Sequence, residues 1–269
     1  MTRYAAMFER LAARAQGAFG AFLMLGDPDL DASAELLDAL VEGGADMVEV
    51  GIPFSDPVAD GPVIQQAAVR ALKAGIRVDD CFRLLAEFRQ RHADVPVGIL
   101  TYANLLAARG LDRFSADAAA AGVDSILVAD VPSLEAEPFA QSVRAAGIDL
   151  VMVAAPNTPG QTLTRIARLC SGYTYCVARS GVTGVSGELA LEHDQLFGQL
   201  RALGAPPAVL GFGISTPEQV RTALASGAAG VISGSAIVRL AQEGPERVRE
   251  FVREMKAATI KQPAARASA

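Results

Sequence analysis

A carboxylate stands inside an apolar run. In residues 46–65, DMVEVGIPFSDPVADGPVIQ, Val48, Val50 and Ile52 alternate with Met47, Glu49 and Gly51. That is strand periodicity with Glu49 set into it. Burying an unpaired charge costs on the order of several kcal/mol, so such an acid is neutralised, paired or functional. Burial also raises a carboxyl pKa, which suits proton exchange near neutrality. Asp56 and Asp60 follow in a loop punctuated by Pro53, Pro57 and Pro62. Aspartates there serve turns and helix N-termini as readily as chemistry.

Two glycine-bearing strand ends suggest a second chemistry. Gly211-Phe-Gly213-Ile-Ser closes one apolar run, and Ser233-Gly234-Ser235-Ala236 closes another and opens a helix. Backbone N–H groups at such corners bind anions without a lysine, so a small phosphate-bearing substrate follows. The competing reading is that the glycines only make tight turns. Between these sites, Arg179-Ser-Gly-Val-Thr-Gly-Val-Ser-Gly187 is a pliable loop that could fold over a substrate, with Arg179 aiding the phosphate or holding the loop. Tyr102, Asp130, Asn157 and Tyr175 fall at or near other strand ends. Asp27, Asp130 and Asn157 read as loop-structuring.

The elements that position these groups alternate. Strands are expected at 18–25, 46–51, 95–100, 125–129, 150–154, 173–178, 208–212 and 230–233. A lone helix over 3–15 precedes them. Between them come helices over 32–42 with Asp31 as cap, from 62, over 79–91, 111–121 and 134–146, one opened by Thr158-Pro159-Gly160-Gln161, and 189–203. Thr216-Pro217-Glu218-Gln219 repeats the capping pattern of 158, and a last helical region fills 235–257. A weak repeat marks the joints: Gly44, Gly122, Gly147 and Gly227 each close a helix just before a strand. Eight βα units in 269 residues predict a (β/α)8 barrel with an additional N-terminal helix, one domain over 1–258 and a disordered tail over 259–269. An open doubly wound sheet is the structural alternative.

Composition narrows the function. A net charge of -6 argues against a general nucleic-acid or anionic-membrane surface. Three cysteines without a CxxC point to a reducing, cytoplasmic setting, and no apolar run reaches membrane-spanning length. The three lysines, Lys73, Lys256 and Lys261, fall at no expected strand end, and the two histidines, His92 and His193, lie in or beside helices. Schiff-base, PLP-lysine and multi-histidine metal chemistry are all disfavoured.

At this point the sequence resembles the tryptophan synthase alpha chain family. The matching segments are FLMLGDPDL at 22–30, EVGIPFSDPVADGPVIQ at 49–65, TYANLL at 101–106 and VDSILVADVP at 123–132. GYTYCVARSGVTG at 172–184, GFGIST at 211–216 and GAAGVISGSAIV at 227–238 complete them. The resemblance implies a (β/α)8 barrel lyase that splits indole-3-glycerol phosphate into indole and glyceraldehyde 3-phosphate. It implies Glu49 as general acid–base, protonating indole C3 and assisting removal of the glycerol hydroxyl proton. Asp60 would accept from the indole N–H and stabilise the cationic intermediate. Phe22, Ile64, Leu100, Tyr102, Leu127, Ala129, Tyr175, Phe212 and Ile232 correspond to the indole and glycerol pocket. Gly184, Gly213, Gly234 and Ser235 correspond to the phosphate donors, and Thr183 to the loop that bonds Asp60. No cofactor or metal is implied for this chain. PLP would belong to a beta-chain partner in an αββα heterotetramer that passes indole through a tunnel, docked on the 53–60 loop, the region around Asn104 and the 179–187 loop. Met24 and a short loop after Gly184 depart from the family pattern. A standalone indole-releasing lyase and a catalytically weak activating barrel are the alternatives.

Overall fold

The computed structural model describes residues 1–177, 187–211 and 213–260. Eight parallel strands close on themselves in chain order: β1 (Ala18–Met24), β2 (Met47–Gly51), β3 (Val97–Thr101), β4 (Ser125–Val128), β5 (Asp149–Ala154), β6 (Thr174–Cys176), β7 (Ala208–Leu210) and β8 (Gly230–Ser233). β1 pairs with both β2 and β8, which completes the barrel. The expected (β/α)8 fold is therefore present, and the open sheet is excluded.

Strand alternation sorts the apolar residues into two layers. Val48, Val50, Val97, Ile99, Ile126 and Val231 point outward and pack with the surrounding helices. Phe22, Met47, Leu127, Val151, Val209 and Ile232 point inward and form a separate cluster. The helix Arg3–Ala13 belongs to the inner one. Thr2 caps it by accepting from the Ala5 N–H, and Tyr4, Met7 and Leu11 recur on one face. That face stoppers the barrel floor, where Tyr4 bonds Ser125 at 2.9 Å and its ring meets Tyr173.

The glycine joints have a single geometry. Gly44, Gly122, Gly147 and Gly227 all take φ between 78° and 101°, the left-handed conformation that ends a helix. At two joints an aspartate then secures the neighbouring strand. Asp46 accepts from the Phe19 N–H and Lys256, and Asp124 accepts from the Val97 N–H, Arg3 and Arg89. These contacts lie at the floor, the stability face of such barrels, and leave the strand C-terminal ends free for chemistry.

Several local expectations need correction. The second helix spans Leu30–Glu42 with Asp29, not Asp31, as its cap; the Asp29 carboxylate takes the Ala32 N–H at 2.9 Å. Thr158 does not cap the helix Gly160–Leu169. Its hydroxyl accepts from the Ala155 N–H and closes the preceding turn instead. The same pattern at Thr216 is a complete capping box with Gln219. An unexpected helix, Ala103–Arg109, follows β3, and Gly244 at φ 103° breaks the last helical region into Ser235–Leu240, a 3₁₀ turn and Pro245–Ala257. The expected tail begins too early: Thr259 is buried and accepts from the Gly17 N–H, and Ile260 bridges Gln16. Residues 261–269 lie outside the described residues.

Candidate active site

Glu49 occupies the inward register of β2, beside Phe22 on β1 and Gly98 on β3. The absence of a side chain at Gly98 makes room: a Cβ there would lie 2.7 Å from Ser125 Oγ and 3.0 Å from Tyr4 Oη. Glu49 is 1% exposed. Tyr173 Oη donates to its Oε1 at 2.8 Å, while Oε2 has no partner among the described residues. Burial raises the Glu49 pKa to about 7. The Tyr173 bond opposes the rise, and the nearby Asp60 carboxylate adds to it. Such an acid exchanges its proton near neutrality.

The cavity above Glu49 has a volume of about 390 Å³, within the range of small-molecule sites. Glu49 and Asp60 both line it. So do Phe22, Ile64, Leu100, Leu127, Ala129 and Tyr175 from the expected pocket, and Gly213, Gly234 and Ser235 from the expected phosphate corner. Asp60 is half-buried at the entry to the helix Pro62–Lys73, where a carboxylate also favours the helix dipole. Gln65 holds its carbonyl at 2.9 Å. Burial raises the Asp60 pKa, and a hydrogen bond from Tyr102 restrains the rise. Asp56 stays on the exposed loop, paired with the Ser55 hydroxyl.

Two expected substrate contacts lie behind the cavity wall. Tyr102 stacks on Phe54 with centroids 5.2 Å apart and accepts from the Ala59 N–H at 3.3 Å, so it braces the 53–60 loop and Asp60. Ile232 is buried in the barrel interior beside Gly20. Thr183, Gly184, Phe212 and the loop from Arg179 lie outside the described residues. Asp27 and Asp130 structure their loops: Asp27 takes a forked pair of bonds from Arg70, and Asp130 accepts from the Ala103 N–H. Met24, a departure from the family pattern, is buried in the inner cluster with its Cε against Gly51.

The phosphate corner is held by a side chain that the sequence reading passed over. Ser233 is fully buried and donates to the Ile214 carbonyl at 2.7 Å, tying the end of β8 to the turn after β7. Gly213 in that turn has φ 75°, which few side-chain-bearing residues adopt. In the helix Ser235–Leu240 the first intrahelical bond runs from the Val238 N–H to the Gly234 carbonyl. The N–H groups before it are the free donors of a helix start, and Gly234, Ser235 and Ala236, which carry them, line the cavity. Also missed were Val153 and Val177, which line the cavity; their even spacing from Val151 and Tyr175 on β5 and β6 was the available signal.

Tyr175 depends on Gly211. Its hydroxyl donates to the Gly211 carbonyl at 2.6 Å, and a Cβ on residue 211 would fall 2.0 Å from the ring. Gly211→Ala should therefore displace the ring into the cavity. The expected cost is about 1–3 kcal/mol of stability and a tenfold or greater loss in kcat/KM. Thermal melts and steady-state kinetics check this; unchanged kinetics would mean that Tyr175 is a bystander.

Comparison with known proteins identifies relatives of the whole chain. Residues 8–267 match the family described as Tryptophan synthase alpha chain. The alpha chain of Aeromonas salmonicida (strain A449) is 51% identical over 266 residues, covering 96% of this chain and 99% of that protein. The alpha chain of Escherichia coli (strain SMS-3-5 / SECEC) is 47% identical over 266 residues, with the same coverage. Among solved structures, tryptophan synthase subunit alpha from Legionella pneumophila str. Paris superposes with a TM-score of 0.87 at 31% identity, over 96% of this chain and 98% of that one. Mycobacterium tuberculosis tryptophan synthase in space group F222 gives 0.89 at 31% identity, over 97% and 99%.

Proposed function

The chain belongs to the tryptophan synthase alpha chain family, and from that premise we propose how its cavity performs the family reaction. The protein is a carbon–carbon lyase of tryptophan biosynthesis that cleaves indole-3-glycerol phosphate to indole and glyceraldehyde 3-phosphate. The observation that carries the residue assignment is one buried carboxyl, Glu49, with an oxygen unpartnered among the described residues, lining the same cavity as Asp60 and the glycine corner.

Glu49 in its protonated form delivers a proton to indole C3. With a pKa of about 7 it is both a competent acid and, once ionised, a competent base. Protonation makes the ring cationic, and Asp60, accepting from the indole N–H, stabilises that charge where bulk water reaches poorly. The Glu49 carboxylate then takes the proton of the glycerol hydroxyl next to the ring. The oxygen pair forms the aldehyde carbonyl, the C–C bond breaks, and its electrons restore the aromatic indole. Protons balance, and Glu49 ends as it began. Phe22, Leu100, Leu127 and Tyr175 surround the ring, and the Gly213, Gly234 and Ser235 main chain holds the phosphate.

The reaction draws on no cofactor in this chain; the family's PLP resides in the beta chain, with which alpha chains form an αββα complex that passes indole on. The buried free thiols of Cys81, Cys170 and Cys176 fit a reducing cytoplasm. Among the described residues no helix is long and apolar enough to cross a membrane. The decisive assay is indole release by the purified chain with and without a purified beta chain. Activation of at least about tenfold is expected, a usual size for coupling between sites. Equal, high rates in both would make the protein a standalone lyase. Negligible rates in both would leave it a silent activating barrel.

A further inference from the structure

Arg239 is the one basic side chain among the described residues that line the substrate cavity. It lies four residues after Ser235 in the helix Ser235–Leu240, so the two share a helix face. Helical side chains lean toward the N-terminus, so Arg239 is directed back toward the turn of Ser235, whose residues line the same cavity. Glu49 and Asp60 line the same cavity, and the whole chain carries a net charge of -6. A phosphate dianion in this site lies in a cavity whose acidic lining residues are Glu49 and Asp60, and a cation beside the glycine corner would add to what the main-chain donors supply.

We propose that Arg239 is a specificity-determining residue: its guanidinium pairs with the substrate phosphate at the rim of the Gly213–Gly234 corner and selects phosphorylated substrate over the bare indole glycerol. The proposal rests on the reading of that corner as the phosphate subsite. The main chain supplies directional hydrogen bonds, and Arg239 supplies the compensating charge and a planar pair of donors matched to phosphate oxygens. Because Arg239 is exposed, the pairing is screened by salt. The same residue occupies the last turn of its helix, where a cation complements the helix dipole. That role alone would change stability and leave substrate selection untouched.

The test compares Arg239→Gln and Arg239→Lys with the unaltered chain, each bound to the beta chain, by indole release. Arg239→Gln should raise KM for indole-3-glycerol phosphate about tenfold with kcat changed less than about threefold. It should weaken competitive inhibition by inorganic phosphate by a similar factor, and flatten the rise of KM with ionic strength. Arg239→Lys, which keeps the charge but not the planar pair of donors, should recover part of the loss. Cleavage of phosphate-free indole glycerol should be equal in all three. Unchanged KM and phosphate inhibition in Arg239→Gln would overturn the proposal, as would equal losses with the phosphate-free substrate. If the unaltered chain releases no indole, the functional reading fails; if it does and Arg239→Gln matches it, Arg239 alone is misassigned.

Discussion

Glu49→Gln is expected to lower indole release by at least about a thousandfold while substrate binding changes by only a few fold. General acid–base catalysis by one positioned group contributes roughly 10²–10⁴. Glu49 is asked to give a proton and then to take one, so the loss should fall in the upper part of that range. Glutamine matches glutamate in shape, and its carbonyl oxygen can still accept from Tyr173 Oη, now 2.8 Å from Glu49 Oε1. The pocket therefore keeps its form and loses only its exchangeable proton. Steady-state indole release with and without excess substrate separates the two effects; turnover within tenfold of the unaltered enzyme would remove Glu49 from the chemistry.

The same substitution should change stability with pH, in a direction fixed by the raised pKa. In the unfolded chain Glu49 titrates near 4.5, and in the folded protein at about 7. Below 4.5 both states hold the proton and burial costs no charge. Between these values the folded state binds more protons than the unfolded one, so stability falls as pH rises, and the loss is complete above about 7. A shift of this size corresponds to at most about 3 kcal/mol. Gln does not titrate, so it brings no such pH dependence. Glu49→Gln should melt close to the unaltered protein at pH 4.5 and about 5 °C or more above it at pH 8.5. Equal melting temperatures at both pH values would mean that Glu49 is solvated when ionised, contrary to its burial.

The barrel was legible because its grammar is local. A helix that ends in a left-handed glycine and feeds a strand leaves a three- or four-residue trace, and Gly44, Gly122, Gly147 and Gly227 each have that conformation. Glu49 was legible because it breaks a local rule, a charge within an apolar alternation. What surrounds Glu49 was not. Tyr173 reaches it across 124 residues of chain, and Tyr4, Ser125 and Gly98 enter the same space from three other elements. No spacing in the sequence records closure of a barrel around one side chain. Caps failed where two turns compete for one hydroxyl, as at Thr158, which closes the turn from Ala155 rather than the helix that follows. Arg239 was missed for a different reason. Attention to the glycines as main-chain donors left out the side chain one helical turn beyond them, although the spacing from Ser235 was there to read.

Asp60→Asn should cut kcat by about a hundredfold or more and leave KM within a few fold. Asparagine can still accept from the indole N–H, so ground-state binding survives. It cannot offset the positive charge that appears on the ring after C3 is protonated, and that charge exists only beyond the ground state. The effect therefore belongs to turnover. A second consequence separates this role from simple contact. The Asp60 carboxylate helps to raise the Glu49 pKa, so its neutralisation lowers that pKa. Since Glu49 reacts in its protonated form in the proposed mechanism, the alkaline limb of the kcat/KM profile, expected near pH 7 in the unaltered enzyme, should move to lower pH in Asp60→Asn. The acid limb, where Asp60 itself takes up a proton, should disappear. A loss confined to KM with both limbs in place would show that Asp60 holds substrate and reaction intermediate equally, and the charge-stabilising role would then have to be given to another group in the cavity.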